Sequence, residues 1–171
     1  MVKLRAASAY RKFKIPYTRK SKYKSKNYVK VAQSSVITQY TSGNLSHKFG
    51  KKILVLSTRN IQLRENAIES ARVVANKYLT DNIGDQNFRL QVVPYPHHVL
   101  REHKLATGAG ADRFSSGMQK SFGKPAGFAA RVLAGSRIFE IHLENDNVEN
   151  GKVAADKISK KLGINTRSVV L

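Results

Sequence analysis

The chain has 171 residues, of which 41% are apolar and none is cysteine, and its 31 Lys and Arg against 11 Asp and Glu give a formal net charge of +20. This length fits one domain with an appendage, and the apolar fraction is enough for a packed core. The lack of cysteine excludes disulfide scaffolds and Cys-based zinc sites. So large a positive charge favours a polyanionic partner, a nucleic acid above all.

The positive charge is concentrated at the N-terminus. Residues 1–64 hold 16 basic and no acidic side chains, residues 65–139 hold 10 and 6, and residues 140–171 hold 5 and 5. The start MVKLRAASAYRKFK has no apolar signal segment, and the longest apolar run, Ile53 to Leu56, is too short to cross a bilayer. We therefore expect a protein that is neither secreted nor membrane-spanning. An organelle transit peptide is the alternative, but those are Ser-rich, whereas Tyr and Lys dominate here.

Residues 1–34 show neither a helical nor a strand period, and their cations alternate with aromatic residues. This pattern predicts an extended arm whose cations meet phosphates while its rings stack on bases or anchor the arm. A solvated tail without a specific role is the alternative, although mixed charges serve solubility better. The candidate phosphate-binding residues of the arm are Arg11, Lys12, Lys14, Arg19, Lys20, Lys22, Lys24 and Lys26.

The next elements are strands and a helix. SSVITQY and KKILVLS are β-branched and apolar with the turn-like TSGN between them, so we expect a hairpin or neighbouring strands. Asn66 and Glu69 have capping-box spacing and open a predicted helix of about four turns, roughly Asn66 to Leu79. Its apolar stripe is Ile68, Ala71, Val74 or Ala75, and Tyr78. FRLQVVPY is then a strand that stops at the prolines.

Five glycines between Gly108 and Gly127 predict a mobile loop. The segment AARVLAGSRIFEIHL that follows is predicted to form one or two strands, broken at Gly135. Asp146 and Glu149 form a second capping box, and the helix that follows ends at Gly163. Its stripe is Val148, Ala155, Ile158 and Leu162, and TRSVVL is the last strand. The order of elements predicts an α+β domain over residues 35–171, with one mixed or antiparallel sheet covered by two main helices.

The segment GAGADR resembles a phosphate-cradling loop but matches neither nucleotide motif. Arg113 stands where the dinucleotide fingerprint needs a third glycine, and Lys124 is followed by Pro125 rather than Ser or Thr. The loop is either a flexible connection or a functional loop that threads into an RNA cavity. Its basic surroundings favour the second: His97, His98, Arg101, His103, Lys104, Arg113, Lys120 and Lys124.

No catalytic residue, metal site or cofactor is predicted. His97 and His98 are adjacent on an extended segment and so point to opposite faces, without an acidic pair nearby. Asp112 is expected to pair with Arg113 at the base of the loop. Ser115 and Ser116 resemble caps for a short helix that ends at Gly123. An RNA-modifying enzyme that uses these histidines, and a protein that coats any DNA, are the alternatives to an RNA-binding structural protein.

The string PHHVLREHKLATGAGADRFSSGMQKSFGKPAGFAARV, residues Pro96 to Val132, carries a family resemblance. It closely resembles the large-subunit ribosomal protein family called L-ten-e in archaea and eukaryotes, whose bacterial counterpart is L-sixteen. ASAYRKFKIPYTRKSKY and QLRENAIESARVVANKYL extend the resemblance to nearly the whole chain. The loop sequence resembles that of the archaeal members of the family, and the cysteine of the eukaryotic loop is absent here.

The resemblance implies an α/β-hammerhead fold and a structural, non-enzymatic role in the large ribosomal subunit, in the cytoplasm. It implies a flexible loop, residues 103–116, that reaches toward the peptidyl-transferase centre, helps to position A-site tRNA and serves late subunit maturation. Implied partners are large-subunit rRNA, A-site and P-site tRNA, neighbouring ribosomal proteins and maturation factors, with no membrane. The rRNA-binding set then gains Arg101, Lys120 and Lys124, and the loop set is His103, Lys104, Thr107, Gly108, Gly110, Asp112 and Arg113.

Overall fold

A computed structural model of the protein describes residues 4–13, 34–119 and 121–171. Its strands are β1 (Thr41–Gly43), β2 (Lys51–Ser57), β3 (Ile61–Arg64), β4 (Phe88–Val92), β5 (His98–Glu102), β6 (Lys124–Val132), β7 (Arg137–Leu143) and β8 (Thr166–Val170). Its helices are α1 (Glu65–Ile83), α2 (Ala111–Phe114) and α3 (Val148–Leu162), with 3-10 turns at Ala7–Tyr10, Asp85–Asn87 and Asn145–Asn147.

The strands form two sheets in which every described pairing is antiparallel. One sheet has five strands in the order β1-β4-β7-β2-β8, and the other has three in the order β3-β6-β5. The α+β prediction is confirmed, but the strands divide between two sheets rather than forming one. The chain leaves the smaller sheet at Val132 and enters the larger one at Arg137, and Gly135 between them has the left-handed φ of 78° that the turn requires.

The strand prediction for residues 34–40 is wrong, as is the hairpin. Only Thr41–Gly43 form a strand there, and it pairs with β4 instead of β2. The backbone amide of Val36 donates to the Glu65 carboxylate at 3.1 Å, and that of Ile37 to the Ser35 hydroxyl at 3.3 Å. These two amides are thus satisfied by side chains instead of by a neighbouring strand. The strands predicted at KKILVLS, FRLQV and TRSVV are confirmed.

The main core lies between the larger sheet and the helices α1 and α3. Ile68, Ala71, Ala75 and Leu79 of α1 are fully buried, and Ala154, Ala155, Ile158 and Leu162 of α3 are buried opposite them. The predicted apolar stripes are confirmed in most positions, with Ala75 rather than Val74 inside, but Tyr78 and Val148 are only half-buried and Leu79 is buried beside Tyr78. Full burial of a Leu, Ile or Phe side chain is worth about 1.5–3 kcal/mol.

Both predicted capping boxes are wrong. Helix α1 begins at Glu65 without a side-chain cap, because Glu69 binds Arg72 at 2.7 Å and the Thr38 hydroxyl at 3.1 Å instead of reaching back to the helix start. Glu149 likewise pairs with Lys152, at 2.7 Å. The end of α3 is as predicted: Gly163 has a φ of 62° and its amide donates to the Ser159 carbonyl at 3.0 Å.

The other side of the larger sheet, which we call the outer face, carries a separate set of side chains. Register places Leu54 beside Glu140 and Val169, and Lys52 beside His142, which in turn lies beside Arg89. Leu56 lies between Arg137 and Arg167 after a bulge, and Gln91 lies beside Glu140. Most of these side chains are half-buried, Arg137 and Arg167 are exposed, and Glu140 is buried.

Glu140 is the electrostatic centre of the outer face. Its carboxylate lies 2.6 Å from Lys52 Nζ and 2.7 Å from an Arg137 guanidinium nitrogen. Burial raises the pKa of Glu140, but the hydrogen bond and charge of Lys52, then the charges of Arg137 and His142, outweigh it, so the pKa is lowered. The ionised carboxylate is thereby stabilised in the folded protein.

This shift predicts acid destabilisation. Because the pKa of Glu140 is lower in the folded than in the unfolded chain, its contribution is present above the unfolded pKa of about 4.3 and is lost as pH falls through the folded value. The free energy of unfolding, measured by denaturant titration at pH 5 and at pH 3, should therefore fall less in Glu140→Gln than in the wild type. Glu149→Gln, whose side chain is 82% exposed, is the control and should behave as wild type. Equal losses in Glu140→Gln and the wild type would contradict the assignment.

Candidate nucleic-acid interface

The N-terminal segment, residues 4–13, is held against the smaller sheet by Gln62 of β3. The Gln62 backbone amide donates to the Arg11 carbonyl at 3.3 Å, and its side-chain amide donates to the carbonyls of Tyr10, at 3.4 Å, and Lys12. The Gln62 side-chain oxygen accepts a hydrogen bond from Nδ1 of His98. Gln62 and His98 are both buried. One glutamine thus joins the N-terminal segment, β3 and β5.

Arginines and aromatic rings complete the attachment of this segment. Arg64 donates to the Arg5 carbonyl at 2.7 Å, and both guanidinium groups lie over the Tyr10 ring, at 5.3 and 5.5 Å from its centroid. The guanidinium of Arg131 lies 4.0 Å from the centroid of Phe13. Cation-π contacts of this kind contribute about 0.5–1 kcal/mol each where exposed. The described aromatic rings of the arm therefore anchor it to the domain.

The long loop leaves the smaller sheet after Glu102 and returns to it after Gly123, and we call the paired ends of the loop the neck. Arg101 donates to the Gly123 carbonyl at 2.8 Å, and His103 Nε2 donates to the Gly117 carbonyl at 2.7 Å. The backbones pass so closely that a Cβ added at Gly123 would lie 2.7 Å from the Glu102 carbonyl oxygen, which explains the glycine. Tyr10 donates its hydroxyl to the Arg101 carbonyl at 3.4 Å, so the neck also touches the N-terminal segment.

Two predictions for the loop interior are wrong. The short helix, α2, lies before Ser115 instead of after it, and the Ser115 hydroxyl donates back to the Ala111 carbonyl at 3.1 Å. Asp112 and Arg113 are consecutive on α2 and exposed, and no ion pair joins them among the described residues. Adjacent positions of a helix diverge by about 100°, which separates the two charges.

A cavity of about 470 Å³ lies where the N-terminal segment meets the neck. Its walls combine apolar side chains with cations from the arm side, the loop and β6. They are Leu4, Tyr10, Arg64, Leu100, Glu102, His103, Lys104, Phe114, Ser115, Ser116, Lys124, Pro125 and Ala126. The cavity brings the predicted residues His103, Lys104 and Lys124 together.

The other predicted residues are dispersed. Lys12 is exposed, and Arg11 is half-buried beside the C-terminal end of α3, since a Cβ added at Gly163 would lie 3.0 Å from its guanidinium. A cation is favourable at that end of a helix. Thr107 is exposed, and Gly108 and Gly110 have φ of 122° and 76°. Lys14, Arg19, Lys20, Lys22, Lys24, Lys26 and Lys120 lie outside the described residues.

The histidines do not form a metal site. His97 is exposed and His98 is buried, so their predicted opposite orientation is confirmed. Burial and then the charge of Arg131 lower the pKa of His98, which leaves the ring neutral near pH 7. Across residues 4–13, 34–119 and 121–171, no group of three or more His, Asp or Glu side chains could hold a metal ion.

Sequence reasoning missed Gln62, Arg64 and Arg131 as parts of this interface. Gln62 gave the one available signal, a polar residue between Ile61 and Leu63, both of which are buried. The arginines look like ordinary exposed positions of strands, and only the fold places them beneath the N-terminal segment.

No helix within the described ranges is both long enough and apolar enough to span a membrane. The profile of the family described as Ribosomal protein L16p/L10e matches residues 14–169. Among the similar proteins, each described as large ribosomal subunit protein uL16, that of Archaeoglobus fulgidus is 40% identical over 164 residues, 96% of this chain and 91% of its own. That of Staphylothermus marinus is 40% identical over 167 residues, 97% and 92% of the two chains.

The protein of Methanocella arvoryzae, with the same description, is 42% identical over 162 residues, 94% of this chain and 91% of its own. Each of these alignments covers 94% or more of this chain. With a family match that begins at residue 14 and ends at residue 169, the chain belongs to the ribosomal protein L16p/L10e family.

Proposed function

We propose that this protein, a structural constituent of the large ribosomal subunit, binds large-subunit rRNA through its basic arm and holds a loop that helps to position A-site tRNA. In this proposal the loop, residues 103–116, extends toward the peptidyl-transferase centre, near A-site and P-site tRNA, and contributes to late subunit maturation. The observation that carries it is a contact between the base of the arm and the base of the loop. Tyr10 donates to the carbonyl of Arg101, and the guanidinium of Arg101 binds the carbonyl of Gly123 at the other end of the loop.

Because the arm and the loop are attached to the smaller sheet at the same place, this contact fixes the position of one relative to the other. An arm that binds rRNA would orient the smaller sheet, and the sheet in turn would set the direction in which the loop leaves. Positioning of a substrate needs such rigidity at the base of a loop, even where the tip is mobile. We propose the division into an arm, residues 1–34, and a domain, residues 35–171, on the same grounds.

The composition of the interface supports RNA as its ligand. Arg5, Arg64, Arg101 and Arg131 surround the attachment of the arm, and the arm continues with a dense run of lysines in the sequence. Arginine contacts phosphates in a forked geometry and stacks on planar rings. The cavity at the neck adds Lys104 and Lys124 to the same side of the molecule. Neighbouring ribosomal proteins and maturation factors would contact the remaining surface.

The arm is tested by its salt dependence. Replacing Arg19, Lys20, Lys22, Lys24 and Lys26 together by glutamine should flatten the slope of log affinity for large-subunit rRNA against log salt by about 0.7–0.9 per lost phosphate contact. Filter binding between 50 and 200 mM salt measures the slope. The matched control is Lys77→Gln with Lys160→Gln, two exposed lysines on α1 and α3, which should leave it unchanged. An unchanged slope in the arm variant would remove the arm from rRNA binding.

The loop is tested by shortening it above its neck. Deletion of residues 107–110, which spares the His103 contact with Gly117 but removes Gly110 at the start of the exposed helix α2, should change the free energy of unfolding by no more than about 0.5 kcal/mol. It should also leave rRNA affinity unchanged but lower peptide synthesis by reconstituted large subunits. A variant in which the same four residues become a Gly-Ser segment of equal length shows whether the length of the loop or its sequence is needed for peptide synthesis. Full synthesis and normal subunit maturation in the deletion variant would mean that the loop is only a connection.

A further inference from the structure

The outer face of the larger sheet carries a second group of cations, remote in sequence from the arm and the loop. Arg89 and Lys52 lie in one row across the strands, and Arg137 and Arg167 lie in another. Between the rows runs a strip of Gln91, Glu140, Leu54 and Val169. Four residues along a strand separate the rows, which at about 3.3 Å per residue is roughly 13 Å.

The carboxylate of Glu140 neutralises only part of this charge. It is paired with Lys52 and Arg137, whereas no ion pair involving Arg89 or Arg167 occurs among the described residues. The Nε of Arg89 is buried without a hydrogen-bond partner in that part of the chain. Because that nitrogen is shielded from solvent, a phosphate would contact Arg89 through its terminal guanidinium nitrogens.

The opposite side of the domain differs. Helices α1 and α3 carry six Lys or Arg and five Asp or Glu, which gives them almost no net charge. Since the outer face has four cations and one carboxylate, the surplus is on the sheet side. The charge distribution therefore directs the sheet side, not the helices, toward a polyanion.

We infer that the outer face is a second RNA-binding surface of this protein, on which its two rows of cations contact the two phosphate backbones of a double-stranded rRNA segment. This inference rests on the proposed function, since it adds a surface to the same rRNA binding. The minor groove of A-form RNA is wide and shallow and is recognised by shape and by backbone contacts. Two rows of cations with a nearly neutral strip between them suit that shape.

A protein partner fits this face less well. The cores of protein interfaces are depleted of charge and enriched in aromatic residues. The outer face has four cations and, on β2, β4, β7 and β8, no Tyr, Trp or Phe side chain in the rows or in the strip, although His142 lies between Arg89 and Lys52. Its apolar members, Leu54, Leu56 and Val169, are half-buried within the sheet.

The first test measures counterion release. Arg89→Gln with Arg167→Gln should flatten the log-affinity against log-salt slope for large-subunit rRNA by about 1.4–1.8, the value for two phosphate contacts. Arg167→Gln alone, at an exposed position that leaves folding intact, should flatten it by about 0.7–0.9. The control is again Lys77→Gln with Lys160→Gln. A wild-type slope in both arginine variants, with a flattened slope in the arm variant, overturns the inference and leaves the proposed function standing.

The second test uses the absence of cysteine from the chain. Val169→Cys on the outer face and Val153→Cys, 42% exposed on α3, each accept one tethered iron chelate for hydroxyl-radical cleavage of rRNA in assembled large subunits. The inference predicts cuts on both strands of one helical segment from residue 169 and none there from residue 153. Cuts on neither strand from residue 169 overturn it. If the arm variant also keeps the wild-type salt slope, the proposed function fails as well.

Discussion

Gln62 makes the hydrogen bonds on which the arrangement of arm and loop depends. Its amide nitrogens hold the carbonyls of the N-terminal segment, and its side-chain oxygen holds His98 of β5. Because Gln62 and His98 are buried, a substitution that removed one would leave the other unsatisfied in a medium where that is costly. The side chain of Gln62 therefore links the N-terminal segment directly to the strand from which the loop leaves.

Several carboxylates of this very basic protein also make contacts that hold parts of the folded chain together. Glu65 accepts the backbone amides of Val36 and Phe128, Glu69 holds Arg72, and Glu140 holds Lys52 and Arg137. Few acidic groups near the arm or the loop remain to repel phosphate. The protein thus holds these carboxylates in internal hydrogen bonds and ion pairs, while positive charge prevails on its surfaces.

Sequence patterns correctly predicted those features of the fold that depend only on neighbouring residues. The spacing of Ile68, Ala71 and Ala75 gave the buried face of α1, and Gly163 gave the end of α3, because each depends only on nearby residues. The capping boxes failed because each glutamate pairs with a basic residue three positions further along its own helix, Glu69 with Arg72 and Glu149 with Lys152, and the distant Thr38 also binds Glu69. The strand prediction for residues 34–40 failed because the distant Glu65 accepts the backbone amide of Val36. The division into two sheets depends on pairings between strands that are far apart in sequence, which periodicity does not encode.

The candidate interface shows the same limit. Charge and glycine content located the arm and the loop, but nothing in the sequence joined them, because Gln62, Arg64 and Arg131 contact the N-terminal segment only after folding. Family membership adds the ribosomal setting, and the contacts add a physical reason for the arm and the loop to work as one unit.

The most direct test of that coupling is a double-mutant cycle on affinity for large-subunit rRNA, with Gln62→Ala introduced into the wild-type chain and into the chain whose arm cations are glutamine. The account predicts that Gln62→Ala weakens binding in the chain with a native arm and has little further effect once the arm cations are gone. Circular dichroism on all four proteins verifies that each is folded. An equal loss of affinity in both backgrounds would contradict the claim that Gln62 acts by positioning the arm.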